Sequence, residues 1–177
     1  MNGTYDLAEL CRSIAGVRLP RWRELPDLEL YMDQVLSLVE RYFGAYPGHR
    51  GLTAAMVNNY VKLGVMPSPV KKKYTRMHLA CLIVICVLKA SLPIESIRRM
   101  LSESMRADGE EAFYDAFCES FEQSVQNAAE AALAQTEREQ PPAAPLYHAA
   151  LRAQAEQALA LALYEAVVGE PEKKEKK

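Results

Sequence analysis

Two prolines near the middle of the chain set the strongest limit on how it can fold. Pro67 and Pro69 lack the amide donor that a helix needs and restrict the residue before each of them to extended backbone, so residues 66–74 cannot be helical. On both sides of this break, apolar residues recur at intervals of three and four, as in amphipathic helices. The break itself ends in Lys-Lys-Lys-Tyr. We therefore expect a short non-helical segment between helices, and we call residues 66–74 the basic loop.

Capping residues predict where the helices next to the basic loop begin and end. Thr53 can accept a hydrogen bond from the first turn of a short helix, and Gly64 can supply the left-handed residue that ends it. Thr75 is expected to start the next helix, and Pro93 suits the first turn of another. The predicted fold class is therefore all-α, mainly helical with a short wing formed by the basic loop.

Further helices are predicted before and after this central region. Asp27 is expected to cap an amphipathic helix that runs to about Phe43. Beyond Ala107 the composition shifts to Ala, Glu and Gln, and a Pro- and Ala-rich linker at residues 140–145 precedes a last helix. The charged residues 170–177 are expected to be disordered. A stripe repeating every four residues predicts the apolar face of the helix after Ala107: Phe113, Phe117, Phe121 and Val125.

Charge is distributed unevenly along the chain, although the net charge is only −2. Residues 50–100 contain nine Lys or Arg and one acidic residue, which sums to +8. Residues 1–49 contain five basic and seven acidic side chains, and residues 101–177 contain seven and fifteen, so the flanks sum to −10. A basic block of this kind is typical of a module that binds a polyanion. The alternative for any run of charge is a solvated face.

Other classes of protein are disfavoured by the motifs that the sequence lacks. The four cysteines are scattered without metal-binding pairs, and free buried thiols in a reducing compartment are expected. The start shows no secretory pattern and the longest apolar run, residues 79–88, is too short to cross a bilayer, so we expect a cytoplasmic protein without membrane contact. The three histidines stand far apart, and His78 is expected to cap a helix or face solvent. No enzyme activity, cofactor or metal is expected.

The short helix after Thr53 carries residue types that can contact DNA bases. Its apolar residues are expected to point inward, which leaves Ala55, Asn58, Asn59 and Lys62 on the opposite face. Asparagine can pair with both N6 and N7 of adenine, alanine can touch the thymine methyl group, and lysine can meet guanine or a phosphate. Asparagines that merely solvate a surface helix are the alternative.

The basic loop is predicted to act as a wing on the DNA backbone. Its three lysines would neutralise phosphates, which contributes affinity without sequence preference. Tyr74 either packs as an anchor, which we favour, or stacks on a sugar, and Arg76 could reach a phosphate. Arg98 and Arg99 are either phosphate contacts or solvated charges. The candidate DNA-binding residues are therefore Thr53, Ala55, Asn58, Asn59, Lys62, Lys71, Lys72, Lys73, Tyr74 and Arg76.

Residues 52–101 resemble the DNA-binding domain of the MerR family of transcription regulators. In that family a recognition helix with an Arg-Tyr-Tyr core ends in a Gly-Leu-Leu-Pro turn, and a basic wing ending in Arg and Tyr follows. The corresponding residues here are Asn58-Asn59-Tyr60, Gly64-Val65-Met66-Pro67 and Lys73-Tyr74. Asn58 and Asn59 replace the Arg and Tyr of the family, so the contacts implied at those two places differ.

A longer part of the chain, about residues 17–105, resembles a bacterial domain-of-unknown-function family, number 1836, of MerR-like winged-helix proteins. The resemblance rests on the phrases Leu19-Pro20-Arg21-Trp22, Leu30-Tyr31-Met32-Asp33-Gln34-Val35 and Val57-Asn58-Asn59-Tyr60-Val61-Lys62-Leu63-Gly64. It implies a MerR-like winged helix-turn-helix domain over residues 17–105, followed by C-terminal helices.

The leading expectation is a sequence-specific transcription regulator that binds double-stranded DNA. Residues 106–169 are expected to form a helical region for dimerisation or effector response, followed by the tail at residues 170–177. A homodimer is expected because paired half-sites multiply specificity. The alternative is a winged-helix module that binds another protein and not DNA. The sequence identifies no effector ligand.

Overall fold

The computed structural model describes residues 6–43, 46–47, 51–136, 141 and 143–168. These residues are mostly helical, as the all-α prediction requires. The predicted disordered tail lies outside them, as do residues 140 and 142 of the predicted linker, whereas residues 144 and 145 of that linker already belong to the last helix. The helices in the described part of the chain are α1 (Leu7–Ala15), α2 (Met32–Phe43), α3 (Ala54–Lys62), α4 (Arg76–Leu88), α5 (Ile94–Asp108), α6 (Glu110–Thr136) and α7 (Ala144–Val168), with a 3-10 helix, Trp22–Glu24, before α2.

Helix α4 lies at the centre of the fold. Residues 78–85 are buried without interruption, so every side of this helix is covered. Helices α2, α5 and α6 all pack against it. A helix that is apolar around its whole circumference needs such a position. Most of the apolar run at residues 79–88 therefore lies in a buried helix.

The segment just before α2 is extended, whereas a helix was predicted to begin there, after Asp27. Leu30 and Tyr74 form an antiparallel β-bridge, in which each backbone amide donates to the carbonyl of the other residue at 2.8 Å. Leu28 and Tyr31, which would lie on the apolar face of the helix predicted to start after Asp27, are 60% and 55% exposed. The helix begins only at Met32 because the bridge to the end of the basic loop holds residue 30 in extended backbone.

Helices α5 and α6 are separated by Gly109 alone, whose φ of 83° turns the chain. The domain boundary expected after residue 105 therefore falls inside α5, and the first half of α6 joins the same core. The buried face of α6 differs from the predicted stripe, because Phe113 and Phe117 are only partly buried. Its buried residues recur at intervals of four or three, which keeps them on one side of the helix: Tyr114, Cys118, Phe121, Val125 and Ala129.

The segment before the 3-10 helix is fastened to α6 by hydrogen bonds to acidic side chains. The guanidinium of Arg21 donates to both carboxylate oxygens of Glu122, at 2.8 and 2.7 Å, and the amide of Leu19 donates to the same carboxylate at 3.2 Å. The amide of Trp22 donates to Asp115 at 2.7 Å. Hydrogen bonding to Arg21 holds the pKa of Glu122 below its usual value. Two acidic side chains of α6, Glu122 and Asp115, therefore bind residues 19–22 to this helix.

Candidate nucleic-acid interface

Helix α3 has the ends that its capping residues predicted. The Thr53 hydroxyl accepts from the amide of Met56 at 3.2 Å, and Gly64 follows the helix with a φ of 68°. Val57 and Tyr60 are buried in the core, which fixes the rotation of the helix about its axis. The opposite face is consequently turned to solvent.

That solvent face carries the four predicted contact residues of α3. Ala55, Asn58, Asn59 and Lys62 are all exposed. At about 100° per residue they fall within an arc of roughly 100° around the helix axis. Two carboxamides, a methyl group and an ammonium group are thus presented together, and these groups can meet base edges and phosphates. Thr53 is also exposed, but its hydroxyl serves the cap.

The basic loop ends in a tight two-residue turn. Val70 and Lys73 form an antiparallel bridge, and the amide of Lys73 donates to the carbonyl of Val70 at 2.9 Å. The two central residues, Lys71 and Lys72, have φ values of 50° and 62°. Positive φ at both central positions is the type I′ geometry, which normally selects Asn-Gly, and it costs a lysine about 1–2 kcal/mol at each place. The turn holds both lysines exposed at its tip despite this cost.

The third lysine of the basic loop is engaged within the chain. The ammonium group of Lys73 lies 2.8 Å from a carboxylate oxygen of Glu29, and this hydrogen bond raises the pKa of Lys73. Lys71 and Lys72, like Lys62 on α3, form no ion pair with any described residue. The three-lysine clamp expected from the sequence therefore reduces to two uncommitted lysines at the tip, with Lys73 bridging the loop to the segment before α2.

Tyr74 and Arg76 pack against the fold and do not extend the exposed surface. Tyr74 is 3% exposed, with its ring edge-on to that of His78 at 5.5 Å between centroids, so the ring packs against the fold, as the favoured alternative expects. The Arg76 side chain is 20% exposed and pairs with Asp27 at 3.5 Å. It donates to the carbonyl of Leu25 at 3.2 Å and lies over the ring of Trp22. Both residues position the basic loop, because they tie it to the segment before α2.

His78 caps the start of α4, one of the two roles expected for it. Its Nδ1 accepts from the backbone amide of Thr75 at 3.0 Å, in the place that Glu or Gln takes in a capping box. Accepting at Nδ1 requires the uncharged ring, and burial lowers the pKa of His78. The Thr-x-x-His spacing indicates this role in the sequence. The cap aligns α4 directly behind the basic loop.

Arg98 at the start of α5 is paired within its own helix. Its Nε donates to a carboxylate oxygen of Glu95 at 2.9 Å. Glu95 therefore balances the charge of Arg98. This pairing favours neither of the two expected alternatives, which were a phosphate contact and a solvated charge. Arg98 borders a cavity of about 420 Å³ between the basic loop and α5, whose floor includes Cys81. Burial raises the pKa of the Cys81 thiol to about 12, so this sulfur is protonated at neutral pH.

The described residues contain no cluster of three or more His, Cys, Asp or Glu side chains able to hold a metal ion. Across the same ranges, no helix combines the length and the apolar character needed to span a membrane.

Comparison with known proteins identifies one family. No curated protein and no solved structure matches the chain significantly. A family profile matches residues 20–121, which is more than half of the chain and runs from the segment fastened to α6 through the basic loop into α6 itself. The chain therefore belongs to the family described as Domain of unknown function (DUF1836).

Proposed function

We propose that this protein is a sequence-specific DNA-binding transcription regulator with a MerR-like winged helix-turn-helix. In this proposal α3 enters the major groove, and the tip of the basic loop contacts backbone phosphates as a wing. The observation that carries the proposal is the exposed face of α3, with its two asparagines and Lys62, in the same domain as a strained turn that presents Lys71 and Lys72.

The strain of that turn is the sharpest argument for a functional surface. A turn selected only for stability would carry Asn-Gly, since these residues tolerate positive φ. Backbone strain that the surrounding structure maintains is typical of binding sites. Here the bridge between Leu30 and Tyr74 and the pair between Lys73 and Glu29 both hold the C-terminal end of the turn. Two cations at the tip of a braced loop suit a rigid phosphate contact.

The charge around the interface supports the same proposal. Arg76 and Lys73 are balanced by Asp27 and Glu29 next to the loop, and Arg98 by Glu95. The pairs with Asp27 and Glu29 offset two of the eight net positive charges counted for residues 50–100, a sum that already includes Glu95. Lys62, Lys71 and Lys72 of the candidate interface form no ion pair with any described residue, and each phosphate that such a cation neutralises contributes about 0.9 to the slope of log affinity against log salt.

The proposal is tested by fluorescence anisotropy with labelled duplex DNA over a salt series. One duplex covers the DNA upstream of the protein's own gene and the other has random sequence. Lys71→Ala/Lys72→Ala is expected to lower the salt slope by up to about 1.8 on both duplexes, since two phosphate contacts are lost. Lys89→Ala/Arg106→Ala removes the same charge from the residue after α4 and from α5, and it is the matched control, which is expected to leave the slope nearly unchanged.

Specific and nonspecific binding are separated by comparing the two duplexes. Tighter binding to the upstream DNA would support sequence recognition and autoregulation. If the control and the Lys71→Ala/Lys72→Ala variant lowered the slope of log affinity against log salt equally, the effect would come from net charge alone. That result would refute a specific role of the turn. No binding to either duplex at low salt would refute the proposal.

A second candidate function is a module that binds another protein, favoured by an apolar groove on α6. Phe113 and Phe117, with ring centroids 6.4 Å apart, line this groove together with Ala112 and Ala116. A partner retained at high salt, lost on Phe117→Ser and unaffected by Lys71→Ala/Lys72→Ala would support this candidate over DNA binding.

A further inference from the structure

The cavity of about 420 Å³ that Arg98 borders lies between the end of α3, the basic loop, α4 and α5. Volumes of roughly 300–1,000 Å³ are typical of sites for small molecules, whereas packed interiors leave few voids larger than a water molecule. The local sequence keeps this space open. Gly64 ends α3 with a φ of 68°, and Pro67 prevents a further helical turn, so the chain passes along the cavity without a helix to fill it.

The floor of the cavity is apolar and adaptable. Val65, Met66 and Leu101 are buried there, and Met77 and Met105 complete the lining on the helix side. Methionine side chains are flexible and polarisable, so they adapt to the shape of a bound molecule. Among the described residues that line the cavity, none carries an aromatic ring on which a planar ligand could stack. The floor therefore suits an aliphatic chain.

The opening of the cavity is polar and carries a positive charge. Arg98 is the one charged side chain among its described lining residues. Ser68 and Ser102 also line it and are exposed, so their hydroxyl groups lie on the solvent side. The thiol of Cys81 in the floor adds no negative charge, because burial raises its pKa to about 12. An apolar floor below a cation and two hydroxyl groups matches an amphipathic molecule with an anionic head.

Arg98 keeps hydrogen-bond donors for such a head group, although Glu95 is already bound to it. Nε and Nη2 of the guanidinium donate to the two carboxylate oxygens of Glu95. These bonds use two of the five N–H donors of the side chain, and no described residue accepts from the other three. The edge formed by Nη1 and Nη2 is therefore open to a second carboxylate, which arginine commonly binds through two parallel hydrogen bonds.

We propose that this cavity binds a small aliphatic carboxylate, with its chain on the methionine-lined floor and its carboxylate on the open edge of Arg98. The lining includes Val61 of α3 and Ser68 of the basic loop, so a bound chain would contact both elements of the candidate interface from the inner side. The proposal does not rest on DNA binding, because neither the exposed face of α3 nor Lys71 and Lys72 line the cavity. The two proposals can therefore fail separately.

The site is tested by titrating the full chain with octanoate in the absence of DNA, followed by NMR of isotope-labelled methionine methyl groups. Of the seven methionines, Met66, Met77 and Met105 line the cavity, and their signals are expected to shift and saturate while the other four stay in place. Each buried methylene contributes about fourfold in affinity. Butyrate, which is four methylenes shorter, is therefore expected to bind about 100-fold more weakly or less.

The head group is tested with two charge-neutral double variants of α5. Glu95→Gln/Arg98→Gln removes the guanidinium without changing the net charge, and it is expected to weaken octanoate binding about 10-fold or more. Glu103→Gln/Arg106→Gln makes the same change where neither residue lines the cavity, and it is the matched control, expected to bind as the wild type does. Octanol is expected to bind the wild type more weakly than octanoate does, and to bind both variants equally. Circular dichroism checks that both variants keep their helices.

Two kinds of result would overturn the proposal. The cavity is excluded as the site if millimolar octanoate leaves the signals of Met66, Met77 and Met105 unmoved, or if all seven methionines shift without saturation. The contact with Arg98 is excluded if octanol binds the wild type as tightly as octanoate does, or if the two double variants have equal affinities for octanoate.

Discussion

Replacing Lys72 by glycine is expected to stabilise the protein, although the substitution removes an exposed charged side chain. Lys72 occupies the second central position of the turn with a φ of 62°, and its side chain is exposed, so no packing is lost. Glycine adopts this backbone conformation without a steric penalty. The free energy of unfolding should therefore rise.

The size of the effect follows from two opposing terms. Relief of left-handed strain at a non-glycine residue contributes about 1–2 kcal/mol. The greater freedom of glycine in the unfolded chain offsets this by about 0.4–1 kcal/mol. The net gain is about 0.5–1 kcal/mol, which for a chain of this length corresponds to a rise in Tm of about 1–4 °C.

Urea unfolding of the wild type, Lys72→Gly and Lys72→Ala measures this difference. Lys72→Ala removes the same charge but keeps the strain, so its free energy of unfolding is expected within about 0.5 kcal/mol of the wild-type value. Both variants should lower the salt slope of DNA binding equally if the turn contacts phosphate. A Lys72→Gly protein no more stable than Lys72→Ala would refute the argument that the turn is strained.

Three further predictions follow from named contacts. Asn59→Ala is expected to reduce discrimination between the upstream and random duplexes by about 1–3 kcal/mol in anisotropy titrations, whereas equal losses on both would exclude a base contact. Glu122→Gln is expected to lower the free energy of urea unfolding by about 1.5–3 kcal/mol at neutral pH, because it removes the charged partner of Arg21. The pKa of Glu122 is lower in the folded state than its ordinary value of 4.5. The stability that the ion pair contributes is therefore present above pH 4.5 and is lost as the pH falls through the lower folded pKa. If Glu122→Gln were destabilised by the same amount in strong acid, the assignment to the ion pair would be contradicted. The folded pKa of His78 lies below its ordinary value of 6.5, so the unfolded chain takes up more protons than the folded chain as the pH falls. The free energy of unfolding is therefore expected to decline from about pH 7 downward in the wild type but not in His78→Gln. Parallel unfolding curves for the two proteins over that range would exclude His78 as the cause.

The candidate interface could be predicted from the sequence where short-range chemistry decides the structure. Thr53 and Gly64 bound α3 as expected, because a cap is satisfied by residues within one turn of the chain. The exposed face of α3 followed from the same helix and its apolar residues. Tyr74 and Arg76 were less predictable, since their partners Leu30 and Asp27 lie more than forty residues away in the sequence.

The sequence by itself determined the helical class, the break at Pro67 and Pro69, and the concentration of basic residues around it, since backbone sterics, capping and composition act locally. Only the tertiary structure decided which cations remain uncommitted and which side of each long helix is covered. Lys73 meets Glu29 because the bridge at Leu30 brings two distant segments together. The side of α7 left open depends on how α1 and α6 pack against it. Contacts between distant segments leave no periodic pattern in the sequence, and they set the surface that partners can reach.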